Sequence, residues 1–496
     1  MKQITFIVLL SLSFVLGACN AFLDITPQSD YTVEEGYKKE SDFEQAISAV
    51  YGKQQLLYNT NSCWFMYINH RSDDSRNANN VGRFVDSPNE SIWTTSWKTY
   101  WSMIDRCNLI LDKIDYAEFT NEERREYMKG EAYILRAYAY WSLGWQWGGV
   151  PLITTTTPLA EIRKIPRSTQ EATLGQAISD YKEAIRLLPE EWGTDDIGRA
   201  TRYAAAGMLG RLYMFQGNFE EARTYLKMVV DQEPVRYKME AKYEDCFVDS
   251  KDNGKERVWE VQFIGGQIGE GSSFITGFIP EKLTLPNTAY VAPFTGYSGN
   301  MRASENLWDA YETSPKTDKR KALSAVTNVK INGTYDTQSK LVYKYCKWDT
   351  YTPKEKTDWA NNLPILRYTD VKMMYAEALN ELGYVADINS EPFKILNEVR
   401  ARAGLDALTP VELYDKDTFR DAIIRERRVE FAFEGLRWCD LIRWGIAVST
   451  MNEHFKHRDE GSGQYTVQDY QLLLPIPFSE MAAYNDVNIM WQNEGY

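Results

Sequence analysis

The chain has 496 residues, 44% of them apolar, which is enough for a large buried core and more than one structural unit. Its formal charge of −14 argues against nucleic acid as a partner, since that needs a basic surface. Three histidines make a His-based metal site improbable, and no cofactor motif is present. Beyond Cys19, the five cysteines at 63, 107, 246, 346 and 439 include no CxxC pair and are odd in number. They read as small buried hydrophobes and not as a disulfide framework.

Residues 1–18 read as a secretion signal. Lys2 supplies a basic start, an apolar run extends from Ile4 to Leu16, and Leu16-Gly17-Ala18-Cys19 has the form of a lipobox. Cys19 is the expected lipidation site, and several acyl chains there would anchor the protein stably. Residues 19–40 form an extended lead. From 41 to 236 the pattern is helical. Phe43, Ile47, Val50, Gln54 and Leu57 mark one face of a first helix over 41–58, and Trp97, Trp101, Ile104, Asn108 and Leu111 one face of another over 93–115. A further helix spans 122–147.

Between these helices, residues 70–91 (HRSDDSRNANNVGRFVDSPNES) are rich in Asn, Asp and Ser and cannot build a core. Such long loops tend to carry function. Residues 203–236 fit a 34-residue tetratricopeptide unit. Leu209, Gly210 and Tyr213 lie on its first helix, Gly217 at the turn, Phe219, Ala222 and Leu226 on the second helix, and Pro234 closes it. Helix pairs around 122–188, 370–402 and 418–444 are the expected neighbours, because one repeat cannot bury its own face.

The texture changes over 237–362. Trp259, Val261 and Phe263 alternate with Glu260 and Gln262 as in a strand, and glycines at 265, 266, 269, 271 and 277 then interrupt any regular element. The glycine run lacks the Gly-Lys-Ser/Thr of a phosphate loop. This stretch reads as an irregular, partly β insertion on an otherwise all-α body. Residues 363–496 return to helix, with Val371, Met374, Tyr375, Ala378, Leu379 and Leu382 forming an apolar stripe.

The densest mixture of charge and aromatic side chains is Thr418 to Gly445. Thr418 reads as a helix cap, Glu426, Glu430 and Glu434 stack at i, i+4, and Gly435 reads as the stop. A catalytic reading would use Glu430 and Glu434. The structural reading, an Arg–Glu network fixing how two helices meet, is favoured because buried charges need partners. His454 and His457 read as surface residues.

RERRVEFAFEGLRWCDLIRWG (425–445) closely resembles the C-terminal signature of the SusD/RagB family of Bacteroidota outer-membrane lipoproteins. PILRYTDVKMMYAEALNELG (364–383), NEVRARAGL (397–405), LLLPIP (472–477), QNEGY (492–496) and GEAYILRAYAYWSLGWQWGGVPLI (130–153) are similar to other family segments and stand in the family's order. The resemblance implies a tetratricopeptide-like helical fold and a lipid-anchored, non-catalytic outer-membrane protein. Such a protein captures a glycan or oligosaccharide and hands it to a SusC-like TonB-dependent transporter.

Sugar binding needs flat aromatic faces for the C–H side of a pyranose and directional polar groups for its hydroxyls. Asp73, Asp74, Arg76, Asn77 and Arg83 of the polar loop, with Trp93 and Trp97 just beyond, offer that mixture. Tyr290, Phe294 and Tyr297 of the insertion are candidates for the facing wall, with Trp308 nearby. Spacing turns Trp97 inward with Trp101 more than it does Trp93. The alternative is a helical-toroid glycosidase or polysaccharide lyase, whose inverting form would need two carboxylates roughly 6.5–9.5 Å apart across a cleft. A tetratricopeptide scaffold binding only protein would leave the polar loop unexplained.

Overall fold

The structure is a computed structural model. It describes residues 36–60, 63–76, 79–85, 87–278, 301–331, 333–457 and 463–496. It is mainly α-helical, as the periodicity requires. Helix α1 (Glu40–Leu56) buries Phe43, Ile47, Val50 and Gln54, the predicted face, and is followed by the short α2 (Trp64–His70). Helix α3 (Ser91–Lys113) turns Ile92, Trp93, Ser96, Trp97, Tyr100 and Ile104 into the core. Helix α4 (Glu122–Trp147) is buried on nearly every side from Gly130 onward, which is why its sequence is apolar all round.

Helix α5 (Gln170–Leu187) packs along α4. Gly144 permits this approach, since a Cβ there would lie 2.7 Å from a methyl of Leu174. A buried bidentate pair, Arg136 Nε and Nη2 to Asp180 at 2.8 and 2.7 Å, fixes the same interface. The tetratricopeptide unit forms as α6 (Arg202–Phe215) and α7 (Phe219–Val230). Gly217 makes the turn at φ +70°, and a Cβ at Gly210 would press within 2.6 Å of Leu226. Tyr213 stacks on Tyr225 with centroids 5.8 Å apart.

The predicted strand is β1 (Arg257–Val261), one residue pair short of Phe263. All five of its residues are buried, so its sequence alternation is not an in–out alternation. Glu260 is tolerated inside because it meets Arg257 at 2.6 Å. Farther along lie α8 (Glu305–Ala310) and a small hairpin, β2 (Val329–Ile331) with β3 (Thr334–Asp336). Strand β4 (Leu363–Arg367) pairs antiparallel with β1, Val261 opposite Leu363 and Arg257 opposite Arg367. It leads directly into α9 (Tyr368–Leu382), which packs on α7, and then α10 (Glu391–Arg402).

Helix α11 (Lys416–Glu430) begins a turn earlier than the sequence suggests. Its cap is Asp415, whose Oδ1 accepts the Thr418 N–H at 2.8 Å while Thr418 Oγ1 accepts the Asp415 N–H at 3.1 Å. Thr418 is therefore the third helical residue of a capping box. The helix also ends at Glu430 and not at Gly435; Phe433 at φ +65° and Gly435 at φ +75° carry the chain round a turn into α12 (Arg437–Arg443). Helices α13 (Ala447–Lys456) and α14 (Phe478–Tyr484) complete the chain. Among the described residues, no helix is long and apolar enough to cross a membrane.

The Arg–Glu cluster is a buried network. Glu430, fully buried, meets Arg402 at 2.6 Å, Arg367 at 3.0 Å and Arg320 at 3.1 Å. Glu434 meets Arg367 and Lys344, each at 2.8 Å, and Glu426 meets Arg320 at 2.7 Å and Arg400 at 3.1 Å. These pairs tie α11 to α10, to β4 and to the insertion, so both proposed catalytic glutamates serve the packing. Cys63, Cys107, Cys246 and Cys346 are buried and free, and Cys439 is half-buried and free. His454 is 3% exposed, contrary to its surface reading, because α13 turns it toward the loop that carries Asp73.

Candidate functional site

The polar loop between α2 and α3 is held from within. Arg71 is fully buried, its guanidinium carbon 4.1 Å from the Phe84 ring centroid, and Nη2 donates to the Gln471 carbonyl at 2.8 Å. Gln471 Nε2 in turn donates to the Phe84 carbonyl at 2.6 Å. One residue pair on the other side matters more. Asp73 takes two hydrogen bonds from Arg437, at 2.8 and 3.0 Å, and lies 3.0 Å from Arg428 Nη2. Asp74 Oδ1 accepts from Arg428 Nε at 2.8 Å.

These contacts decide the ionisation of both acids. Burial pushes the Asp73 carboxyl up, but the charges of Arg428 and Arg437 overcome it and hold Asp73 below the usual carboxylate range. Asp74 is raised, because its burial and the repulsion of Asp73 outweigh the pull of Arg428 and Arg437. The backbone of this stretch carries the far side of the insertion. Ser304 N–H donates to the Asp74 carbonyl at 2.8 Å, Ser304 Oγ to the Asp73 carbonyl at 2.7 Å, and Arg76 N–H to the Arg302 carbonyl at 2.8 Å.

The expectation that Asp73, Asp74, Trp93 and Trp97 face a ligand at this loop is therefore corrected. Asp73 and Asp74 are 3% and 1% exposed and spend their carboxylates on α11 and α12. Trp93 and Trp97 are each 1% exposed; Trp93 meets Tyr67 edge-on at 6.5 Å, and Trp97 packs against Trp147 at 5.6 Å. Helical spacing places both indoles on the inner face of α3. Asn77, Tyr290, Phe294 and Tyr297 lie outside the described residues, as does Cys19.

Arg76 and Arg83 remain at the surface. Arg76 is exposed and lies close enough to Arg302 for its charge to help lower the latter's pKa; burial is the larger cause, and together they bring it to about 10. Arg83 is half-buried with its guanidinium carbon 5.4 Å from the Tyr465 centroid. Asn79 Oδ1 accepts the Gly82 N–H at 2.8 Å and shapes the turn between the two arginines. The outer face thus combines guanidinium groups, exposed amides and one half-buried phenol ring. Arg302 and Tyr465 were missed: each lies far from the loop in sequence, and only its placement beside Arg76 or Arg83 distinguishes it.

A second surface lies within the insertion, with Arg402 of α10 at its edge. A cleft of about 830 Å³ is lined by Tyr243, Trp308, Lys321, Tyr343 and Lys347 among others. The Trp308 ring is half-buried, and Lys321 Nζ stands 3.9 Å from its centroid. Among the described residues, no group of three or more His, Cys, Asp or Glu side chains is placed to hold a metal ion.

Comparison with known proteins assigns the chain. The profile described as SusD family matches residues 286–496, and that described as starch-binding associating with outer membrane matches residues 21–214. SusD-like protein P25 of Formosa agariphila is 27% identical, covering 97% of both chains. A SusD-like protein of Bacteroides ovatus is 25% identical over 88% of this chain and 82% of its own. Two solved structures share the fold. A laminarin-binding SusD-like protein superposes with a TM-score of 0.74 at 23% identity, covering 93% of this chain and 100% of its own. Surface glycan-binding protein A of Bacteroides thetaiotaomicron, in complex with laminarihexaose, gives 0.75 at 20% identity over 92% and 100%. With SusD-type profiles matching residues 21–214 and 286–496, the protein belongs to the SusD family.

Proposed function

We propose that the protein binds a glycan or oligosaccharide without chemistry, at the outer membrane surface, anchored through a lipid on Cys19. We further propose that it passes the bound sugar to a SusC-like TonB-dependent transporter. The observation carrying the glycan reading is family membership together with relatives whose names state laminarin and laminarihexaose as ligands. The outer-membrane reading draws support from the name of the family matched over residues 21–214 and from the lipobox. The broad, rigid faces of the helical pairs suit protein contact, so they are the surface assigned to the transporter.

The glycan is assigned to the outer face of the 70–91 loop, with Arg76 and Arg83 as hydroxyl donors and Tyr465 as the ring platform. Guanidinium groups fix the orientation of hydroxyl pairs, and the phenol supplies the apolar contact. Asn77, Tyr290, Phe294 and Tyr297 remain candidate ligand-binding residues. A glycan array probed with residues 20–496 tests the reading. Binding to at least one oligosaccharide, with no shortening of it on prolonged incubation, is expected. Cleavage of the bound glycan would support the glycosidase or lyase alternative instead.

A further inference from the structure

A second cavity, of about 250 Å³, opens along the middle of α3, away from the loop that precedes that helix. Its lining includes Trp97, Trp101 and Ile104 of α3 and Tyr484 of α14, with Asp105, Arg163 and Glu480 as charged groups. Trp101 and Tyr484 are half-buried and present ring surface to the cavity, whereas Trp97 is 1% exposed. The Trp97 indole N–H makes no hydrogen bond of normal geometry, and the acid it approaches is Glu480. Glu480 itself is half-buried. Burial raises its carboxyl, against the opposing pull of Lys98 and of the Trp97 N–H.

We propose that this cavity is a second carbohydrate subsite, taking a single pyranose ring. The volume lies just below the roughly 300–1,000 Å³ of pockets for larger ligands, which suits one ring and excludes a folded oligosaccharide. Two aromatic rings from different helices offer faces to the C–H side of a sugar. The polar groups choose between ligand classes. A hydroxyl can donate to the half-buried Glu480 carboxylate, whose other near neighbour is the Trp97 N–H. A purely apolar ligand would bury the Glu480 carboxyl further without serving it, at the cost of a desolvated acid. Arg163, exposed beside the cavity, adds a donor for a neighbouring hydroxyl. The proposal rests on the glycan-binding reading for its ligand class alone, since the cavity and the loop face share no lining residue.

The test is ligand-observed saturation-transfer NMR on the full chain with D-glucose, D-galactose, D-mannose and D-xylose singly, and with laminarihexaose. Wild type and the Trp101→Ala, Glu480→Gln and Arg83→Ala variants are compared. At least one pyranose should bind, with a Kd on the order of 1 mM. That binding should weaken about tenfold or more in Trp101→Ala and in Glu480→Gln and stay unchanged in Arg83→Ala. Should Trp101→Ala fail to fold, Glu480→Gln decides, because the amide keeps the carboxyl's shape. No binding by any of these sugars, or binding indifferent to Glu480→Gln, overturns the subsite. If oligosaccharide binding that depends on Arg83 persists while the cavity stays silent, the glycan reading stands and only the second subsite falls.

Discussion

Arg437 holds Asp73 through two hydrogen bonds, Nε to Oδ1 at 2.8 Å and Nη2 to Oδ2 at 3.0 Å, across 364 residues of chain. The pair joins the loop after α2 to the start of α12, and Arg428 of α11 reaches the same carboxylate. The loop is thereby part of the C-terminal packing. Replacing Asp73 with Asn leaves two largely buried guanidinium groups short of a charge. Asp73→Asn should cost about 3–5 kcal/mol, measured by denaturant unfolding. A variant as stable as wild type would mean that the pair does not anchor the loop.

The outer face of the loop should behave in the opposite way. Arg76 is exposed and Arg83 rests against Tyr465, so neither supports the core. Arg76→Ala and Arg83→Ala should leave unfolding within about 0.5 kcal/mol of wild type. Each should weaken binding of an array-identified oligosaccharide several-fold by calorimetry. Unchanged affinity in both would move the site toward the segment that carries Tyr290, Phe294 and Tyr297.

Anchoring can be tested apart from binding. Cys19→Ala removes the thiol that the Leu-Gly-Ala-Cys pattern presents for lipidation. The variant should appear in the soluble fraction when cells lacking the proposed SusC-like transporter are fractionated. Retention with the outer membrane to the wild-type degree in those cells would rule out the lipid as the anchor.

The sequence made the helices legible because apolar residues recur at 3.6-residue spacing and small residues mark close approaches, as with Gly210 against Leu226. It also made the Arg–Glu cluster legible as packing, since so many charges among aromatics need mutual partners. The inward fate of Asp73 was not legible. An acid in a polar loop reads the same whether it faces water or an arginine hundreds of residues away, and the partner is set by tertiary packing. Trp93 misled for a related reason: its place beside a polar loop suggested exposure, while its phase on α3 turned it inward. The start of α11 was misplaced because Asp415 and Thr418 are both good caps, and only the reciprocal bonds identify which one holds the end.

The charge network around Glu430 makes a prediction in pH. Burial alone would raise this carboxyl, but Arg402, Arg367, Arg320 and Lys344 together bring it down to about 2. In the unfolded chain it returns to the ordinary value of about 4.3. A depressed folded-state pKa means that the native state sheds the proton more readily than the unfolded one. Its contribution is therefore complete above about pH 4.3 and is lost as pH falls toward 2. At neutral pH a shift of this size corresponds to about 3 kcal/mol. Glu430→Gln removes the titrating group while keeping its shape. The variant should be less stable than wild type by about 3 kcal/mol at pH 7, and the gap should close progressively between about pH 4.3 and pH 2. Chemical unfolding of both proteins at several pH values measures the difference, since acids outside the network titrate equally in each. A gap that stays constant down to pH 2 would show that the Glu430 charge does not carry the stabilisation.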